Sequence, residues 1–67
     1  MERKCILGEI LREENLTQTK LAEISGVPQS AVSRYSKGQS RLYDINHLFA
    51  LAKALDRSIE DLFAEEQ

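Results

Sequence analysis

The chain has 67 residues, of which 42% are hydrophobic and 30% charged, and its formal net charge is −2 at pH 7. This length predicts a single domain over residues 1–67 with a small core. The lone cysteine, Cys5, excludes an internal disulfide, and no apolar run approaches the roughly 20 residues that cross a bilayer. We therefore expect a globular, cytoplasmic protein.

The first two helices are predicted from apolar spacing and capping residues. Helix 1 is expected from about Arg3 to Glu14, because apolar residues recur there with helical period, at Ile6, Leu7, Ile10 and Leu11. Helix 2 is expected to begin after Thr17, whose hydroxyl can cap a helix N-terminus, and to end at Gly26. Three of its side chains are expected in the core: Leu21, Ala22 and Ile24.

Three further helices complete the predicted fold. Helix 3 is expected to begin near Pro28, to use Val32 as its main apolar anchor and to end before Gly38. Asp44 is expected to cap helix 4, whose broad apolar face contains Ile45, Leu48, Phe49, Leu51, Ala52 and Leu55. A capping-box-like Ser58–Asp61 begins a last helix that ends near Leu62–Phe63. With no strand signal, the expected fold is all-α, a compact five-helix orthogonal bundle.

Helices 2 and 3, over about residues 17–37, have the sequence form of a helix-turn-helix. The third helix has short or forked hydrogen-bonding side chains that can read base edges, at Gln29, Ser30, Ser33 and Arg34. Positions 28–43 contain no acidic residue. This combination favours a surface that contacts nucleic acid over one that only packs.

The charges are unevenly distributed along the chain. Residues 17–43 carry four cations and one anion, a net +3, whereas residues 56–67 carry five anions and one cation, a net −4. The acidic part coincides with the predicted C-terminal helix and tail, at about 58–67. The asymmetry favours one face that meets phosphate and another that is turned away from it.

These features resemble the lambda-repressor-like helix-turn-helix domain of the Cro/cI (XRE) type. The resemblance covers about positions 5–63, in family order, at Leu16–Gln18, Leu21–Glu23, Gly26–Val27, Gln29–Arg34, Lys37–Gly38, Leu48–Leu55 and Ile59–Phe63. It implies a five-helix domain that binds operator DNA, usually as a symmetric dimer. Family members often have an acid where Ser36 stands, paired with an arginine of helix 1. Here Leu11 occupies the partner region, so that ion pair is not expected.

The resemblance also implies individual DNA contacts. The residues expected in the major groove are Gln29, Ser30, Ser33 and Arg34, and those expected at backbone phosphates are Gln18, Lys37, Ser40 and Arg41, with Lys20 as a further candidate. Independently of the resemblance, a glutamine can pair with adenine N6 and N7, and an arginine with guanine O6 and N7. The two serines could instead be present because they are small.

Other chemistry is not expected from this sequence. It has no nucleophile–base arrangement and no phosphate-binding glycine motif, so we predict that it is not an enzyme. His47 has no second histidine or cysteine at ligand spacing, so no metal site is expected. No cofactor is expected either, and a chain predicted to be a single domain is not expected to sense a small-molecule ligand. Cys5 is expected to be a packing residue, with a redox switch as the alternative.

The expected function is therefore sequence-specific transcriptional regulation. The protein is predicted to be a repressor that binds a short inverted repeat in double-stranded DNA as a homodimer, with helix 3 in the major groove. The dimer interface is expected at Ile59, Leu62 and Phe63, which could alternatively complete the monomer core. The alternative function is a protein-interaction module, an antitoxin or anti-repressor, that holds its partner through the acidic C-terminal helix.

Overall fold

A computed structural model describes residues 3–65, which form four α-helices, one 3₁₀ helix and a two-stranded antiparallel ribbon. The elements in chain order are β1 (Arg3–Cys5), α1 (Leu7–Glu13), α2 (Gln18–Ser25), α3 (Gln29–Ser36), α4 (Ile45–Ala54), the 3₁₀ helix (Ile59–Leu62) and β2 (Phe63–Glu65). The mostly helical prediction is confirmed, whereas the count of five α-helices and the absence of strands are wrong. Glu66 of the predicted acidic tail lies outside the described residues.

The helix boundaries follow the predicted capping residues. The Thr17 hydroxyl accepts a hydrogen bond from the backbone N–H of Lys20 at 3.0 Å, and Gly26 ends α2 in the left-handed region with φ 78°. The Asp44 carboxylate accepts from the backbone N–H of Asn46 at 2.8 Å. Ser58 and Asp61 form a reciprocal capping box, and the hydrogen bond from the Ser58 N–H to the Asp61 carboxylate lowers the pKa of Asp61. These local signals were sufficient to place the turns.

At both ends of the described chain, the structure has a strand where the sequence predicted helix or tail. Residues 3–5, predicted as the start of helix 1, form a strand in which Arg3 pairs with Glu65 and Cys5 pairs with Phe63. The Ile6 N–H donates to the carbonyl of Leu62 at 2.8 Å. Because this pairing satisfies backbone groups at both ends, α1 begins only at Leu7 and the predicted last helix is a single 3₁₀ turn.

One hydrophobic core joins the helices to the ribbon. The buried residues are Cys5, Leu7, Ile10, Leu11, Leu21, Val27, Ala31, Val32, Tyr35, Leu48, Leu51, Ala52, Leu55 and Leu62. The predicted anchor Val32 is among them. Of the core residues expected in helix 2, Ala22 is only half-buried and Ile24 is 49% exposed. On the predicted apolar face of helix 4, Ile45 and Phe49 are 55% and 61% exposed. Among residues 3–65, no helix has the length and hydropathy needed to span a bilayer.

The backbones of α1 and α3 meet at Gly8. A Cβ atom on Gly8 would lie 2.5 Å from the backbone carbonyl oxygen of Ser36. The Ser36 hydroxyl donates to the carbonyl of Val32 at 2.7 Å, one turn earlier in its own helix. At Ser36, where related proteins often have an acid paired with an arginine of helix 1, α1 and α3 are therefore joined by a close backbone approach.

The loop from α3 to α4 is fixed by the buried Tyr35. Its hydroxyl accepts from the backbone N–H of Asp44 at 3.3 Å and forms a hydrogen bond with Nδ1 of His47 at 3.1 Å. Its ring lies 4.9 Å from the ring of Tyr43, centre to centre. His47 thus has a structural partner, and the loop that follows α3 is held at both ends.

Candidate nucleic-acid interface

Helix α3 has one buried face and one polar face. Ala31, Val32 and Tyr35 are in the core, whereas the opposite side consists of Gln29, Ser30, Ser33 and Arg34. These four residues have the spacing i, i+1, i+4 and i+5, which places them on one side of a helix. All are exposed except Ser33, which is half-buried. The predicted base-contacting set therefore forms one continuous surface.

The side chain of Gln29 is held in place by α2. Its Nε2 donates to the hydroxyl oxygen of Thr19 at 3.0 Å. The bond leaves Oε1 and the second Nε2 hydrogen available, which are the acceptor and donor that adenine N6 and N7 require. Thr19 was not singled out from the sequence, because the contact depends on how α2 crosses α3. A positioned glutamine loses less side-chain entropy when it binds a base.

Arg34 lies next to Gln29 and Ser30 on the polar face of α3. Its guanidinium carbon is 5.5 Å from the centre of the Tyr35 ring, within cation–π range. Within residues 3–65, no carboxylate forms an ion pair with Arg34. The guanidinium fork is therefore oriented by an aromatic ring, and its N–H donors are available for an acceptor such as guanine.

A polar cleft of about 640 Å³ opens where α1, the start of α2 and the end of α3 meet. It is lined by Gln18 and Lys37, as expected, and also by Arg12. We call it the α2 cleft. It combines two cations with the N-terminus of α2, where exposed backbone N–H groups favour an anion. Arg12 was missed by the sequence analysis, although its place beside the apolar stripe of helix 1 was a usable signal.

A second groove of about 610 Å³ lies between β1 and the loop after α3. It contains the expected Ser40 and Arg41 together with Arg3 and Lys4, and we call it the ribbon groove. The Ser40 hydroxyl donates to the carbonyl of Leu42, so a phosphate contact through that hydrogen would require the bond to break. Arg3 and Lys4 were missed because β1 was predicted as helix, and only strand pairing brings them to this loop.

Lys20 is set apart from both concave surfaces. It is exposed on α2, and its Nζ lies 3.7 Å from a carboxylate oxygen of Glu23, one helical turn away. Exposed pairs of this kind are weak and do not prevent a lysine from contacting a phosphate. Lys20 lines neither the α2 cleft nor the ribbon groove.

The three residues expected at a dimer interface differ in how deeply the monomer buries them. Leu62 is 1% exposed and completes the monomer core, so it offers no surface to a second chain. Phe63 is half-buried, with its ring 5.4 Å from that of Tyr43. Ile59 is half-buried on the border of a shallow groove beside α4. Leu62 therefore lies in the monomer core, and the dimer contacts expected at Ile59 and Phe63 stay predictions.

Cys5 is a packing residue in this fold. Its side chain is buried against Tyr43, and burial raises the pKa of the thiol. A raised pKa lowers the thiolate fraction on which oxidation depends, which argues against the redox-switch alternative. Among residues 3–65 no group of histidine, cysteine and acidic side chains has the arrangement of a metal site.

Comparisons with known proteins agree with this architecture. The helix-turn-helix family model matches residues 7–62. The SPbeta prophage-derived uncharacterized HTH-type transcriptional regulator YopS of Bacillus subtilis (strain 168) is 30% identical over 60 residues, which cover 90% of this chain and 81% of that protein. The crystal structure of the prophage Lp1 protein 11 is similar with a TM-score of 0.65 and 28% identity, over 84% of this chain and 74% of that one. The family match includes all four α-helices and the turn between α2 and α3, and this chain belongs to the XRE-type helix-turn-helix family.

Proposed function

We propose that this protein is a sequence-specific, DNA-binding transcriptional repressor that acts in the cytoplasm. One observation carries the proposal: the polar face of α3 offers hydrogen-bonding groups without any acid, and cationic clefts adjoin its C-terminal end. A DNA duplex presents hydrogen-bond acceptors and donors in its major groove, and a phosphate backbone runs along each side of that groove. The α3 face and the two clefts match that pattern of groups.

In the proposed complex, α3 enters the major groove and the clefts contact the DNA backbone. Gln29 pairs with an adenine and Arg34 with a guanine, while Ser30 and Ser33 either contact bases or leave room for them. Phosphates contact Gln18, Lys37 and Arg12 in the α2 cleft, and Arg41, Arg3 and Lys4 in the ribbon groove. Lys20 and Ser40 are additional phosphate contacts in this proposal. The backbone contacts provide most of the affinity and the base contacts choose the site.

We further propose that the protein acts as a homodimer on a short inverted repeat. The direct test is selection of binding sites from a pool of random duplex DNA, using the full chain. We expect a palindromic consensus whose half-sites are separated by one helical turn, about 34 Å. Recovery of unrelated sequences, or of no bound DNA at low salt, would contradict sequence-specific binding.

Replacement of Lys37 by alanine tests the phosphate contacts. On a duplex that contains one selected half-site, we expect the slope of log K against log salt to become flatter by about one unit. The loss of affinity should be similar for an unrelated duplex, because a phosphate has the same charge in every sequence. Fluorescence anisotropy over a series of salt concentrations measures both quantities.

Lys53→Ala is the matched control for Lys37→Ala. Lys53 is an exposed lysine on α4 that lines neither the α2 cleft nor the ribbon groove. The half-site duplex makes the result independent of dimer formation. An unchanged salt slope in Lys37→Ala, or an equal change in Lys53→Ala, would remove Lys37 from the proposed interface.

The protein-interaction alternative has lost the element on which it was based. It required an acidic C-terminal helix as the contact for a partner protein. The described part of that segment, up to Glu65, is a single 3₁₀ turn with Leu62 in the core, followed by a strand paired with β1. We therefore do not propose an antitoxin or anti-repressor role.

A further inference from the structure

Helix α4 carries an apolar patch that the monomer leaves exposed. Ile45 and Phe49 are four residues apart and therefore lie on the same side of α4. Both have more than half of their surface exposed, at 55% and 61%. From Phe49 a shallow groove continues past Ala52 to Ile59. Contiguous exposed apolar patches mark protein–protein interaction sites more often than singly exposed apolar residues do.

This surface is separate from the candidate DNA interface. The groove lies between α4 and the 3₁₀ helix, and α4 packs on α2 and on the 3₁₀ helix. None of the residues that line the α2 cleft or the ribbon groove also lines the α4 groove. A protein bound to the α4 patch would therefore leave both DNA-backbone clefts open.

The charges beside the patch indicate which partner fits. The groove is bordered by Lys53 on α4 and by Glu60 on the 3₁₀ helix. Within residues 3–65 neither side chain forms an ion pair, whereas the neighbouring Arg57 is bound to Glu14 at 3.0 Å. In a two-fold symmetric interface, a contact between residue i of one chain and residue j of the other occurs twice, because residue j of the first chain also contacts residue i of the second. An apolar patch with a cation on one side and an anion on the other is therefore complementary to a second copy of itself.

We infer that the α4 patch is the homodimer interface of this protein, with Phe49 and Ile45 at its centre and two reciprocal Lys53–Glu60 pairs at its edge. The inference rests on the proposed function in one respect, since that function calls for a dimer. It replaces the interface expected from sequence, of which only Ile59 remains, at the border of the patch. The rim pairs contribute little affinity and mainly fix the orientation of the two chains.

The first test measures the mass of the full chain in solution, without DNA, by sedimentation equilibrium from about 1 µM to about 1 mM. We expect a reversible dimer, which Phe49→Gln weakens at least about tenfold. Leu42→Gln is the matched control, because Leu42 is also apolar and is 85% exposed in the loop after α3. It should leave the dimer unchanged. Far-UV circular dichroism and a thermal melt of both variants show whether the monomer fold is retained.

The second test asks whether the partner is another copy of the same chain. Lys53→Glu and Glu60→Lys should each weaken the dimer about 3- to 10-fold, because each places like charges opposite one another. The variant with both changes should recover to within about threefold of the original dimer. Reciprocal rescue is the result expected when residue 53 of one chain faces residue 60 of the other.

Several outcomes would overturn the inference. They are a monomer at every concentration, a dimer that Phe49→Gln leaves unchanged, or a double charge swap that restores nothing. Capture of a different protein by a chain that stays monomeric would overturn it as well. The half-site duplex tests the proposed function separately. A dimer that binds no DNA would contradict the proposed function and leave the inferred interface standing. A monomer that binds its half-site would contradict the interface and leave the function standing.

Discussion

Replacing Arg34 with alanine is expected to weaken binding to the selected operator about 5- to 150-fold, which corresponds to roughly 1–3 kcal/mol. The variant loses a guanidinium that can donate two parallel hydrogen bonds to guanine O6 and N7. Its packing cost is small, since the Arg34 side chain is exposed. Fluorescence anisotropy on the selected operator, and on operators with one base pair exchanged, measures the loss and identifies the base pair concerned.

Two comparisons separate base recognition from simple charge attraction. Arg34→Lys keeps the positive charge but not the planar fork. It should therefore bind unrelated duplexes with the affinity of the original protein, and distinguish the selected operator from its single-base variants less well than the original does. In Arg34→Ala, the preference should relax at one base pair of each half-site. If Arg34→Ala instead loses the same factor on every duplex, Arg34 contacts a phosphate and the proposed guanine contact is wrong.

Gly8→Ala is expected to lower the free energy of unfolding by about 1–3 kcal/mol. In an isolated helix the same change would be favourable by about 1 kcal/mol, because alanine is the better helix former. Here the added methyl group would lie 2.5 Å from the carbonyl oxygen of Ser36, and backbone on both sides leaves little freedom to move. Urea denaturation followed by circular dichroism measures the difference.

The neighbouring Glu9→Ala is the control for Gly8→Ala. Glu9 lies on the same helix but is exposed, so its replacement should change stability by less than about 0.5 kcal/mol. Because the carbonyl of Ser36 ends α3, a forced shift at Gly8 should also weaken DNA binding in the surviving folded protein. A Gly8→Ala variant as stable as the original would mean that α1 and α3 are further apart than this structure places them.

The helix-turn-helix could be predicted because its signals are local. The Thr17 cap, the left-handed Gly26 and the start of α3 after Pro28 each depend on a few adjacent residues, and each lies where the sequence indicated. The spacing of Gln29 and Arg34 on α3 is likewise fixed by helical geometry alone. The proposed base-reading face could therefore be named before any tertiary contact was known.

The remaining parts of the candidate site depend on contacts between distant segments. The hydrogen bond from Gln29 to Thr19 requires the crossing of two helices, and no property of either residue indicates it. Arg3 and Lys4 reach the ribbon groove only because β1 pairs with β2. That pairing joins residues about 60 positions apart through strands of three residues, which are too short to show an alternating pattern.

The sequence by itself determined the helix-turn-helix, its caps and the polar face of α3, since these follow from interactions within one or two helical turns. Only the tertiary structure decided which apolar side chains are buried. Helix α4 has more apolar side chains than the neighbouring elements bury, and the sequence alone does not reveal which of these side chains remain exposed to solvent. The packing of α4 on α2 and the 3₁₀ helix buries Leu48 and Leu51 and leaves Ile45 and Phe49 exposed. The position of the inferred dimer interface follows from that division, because burial depends on what lies opposite each side chain.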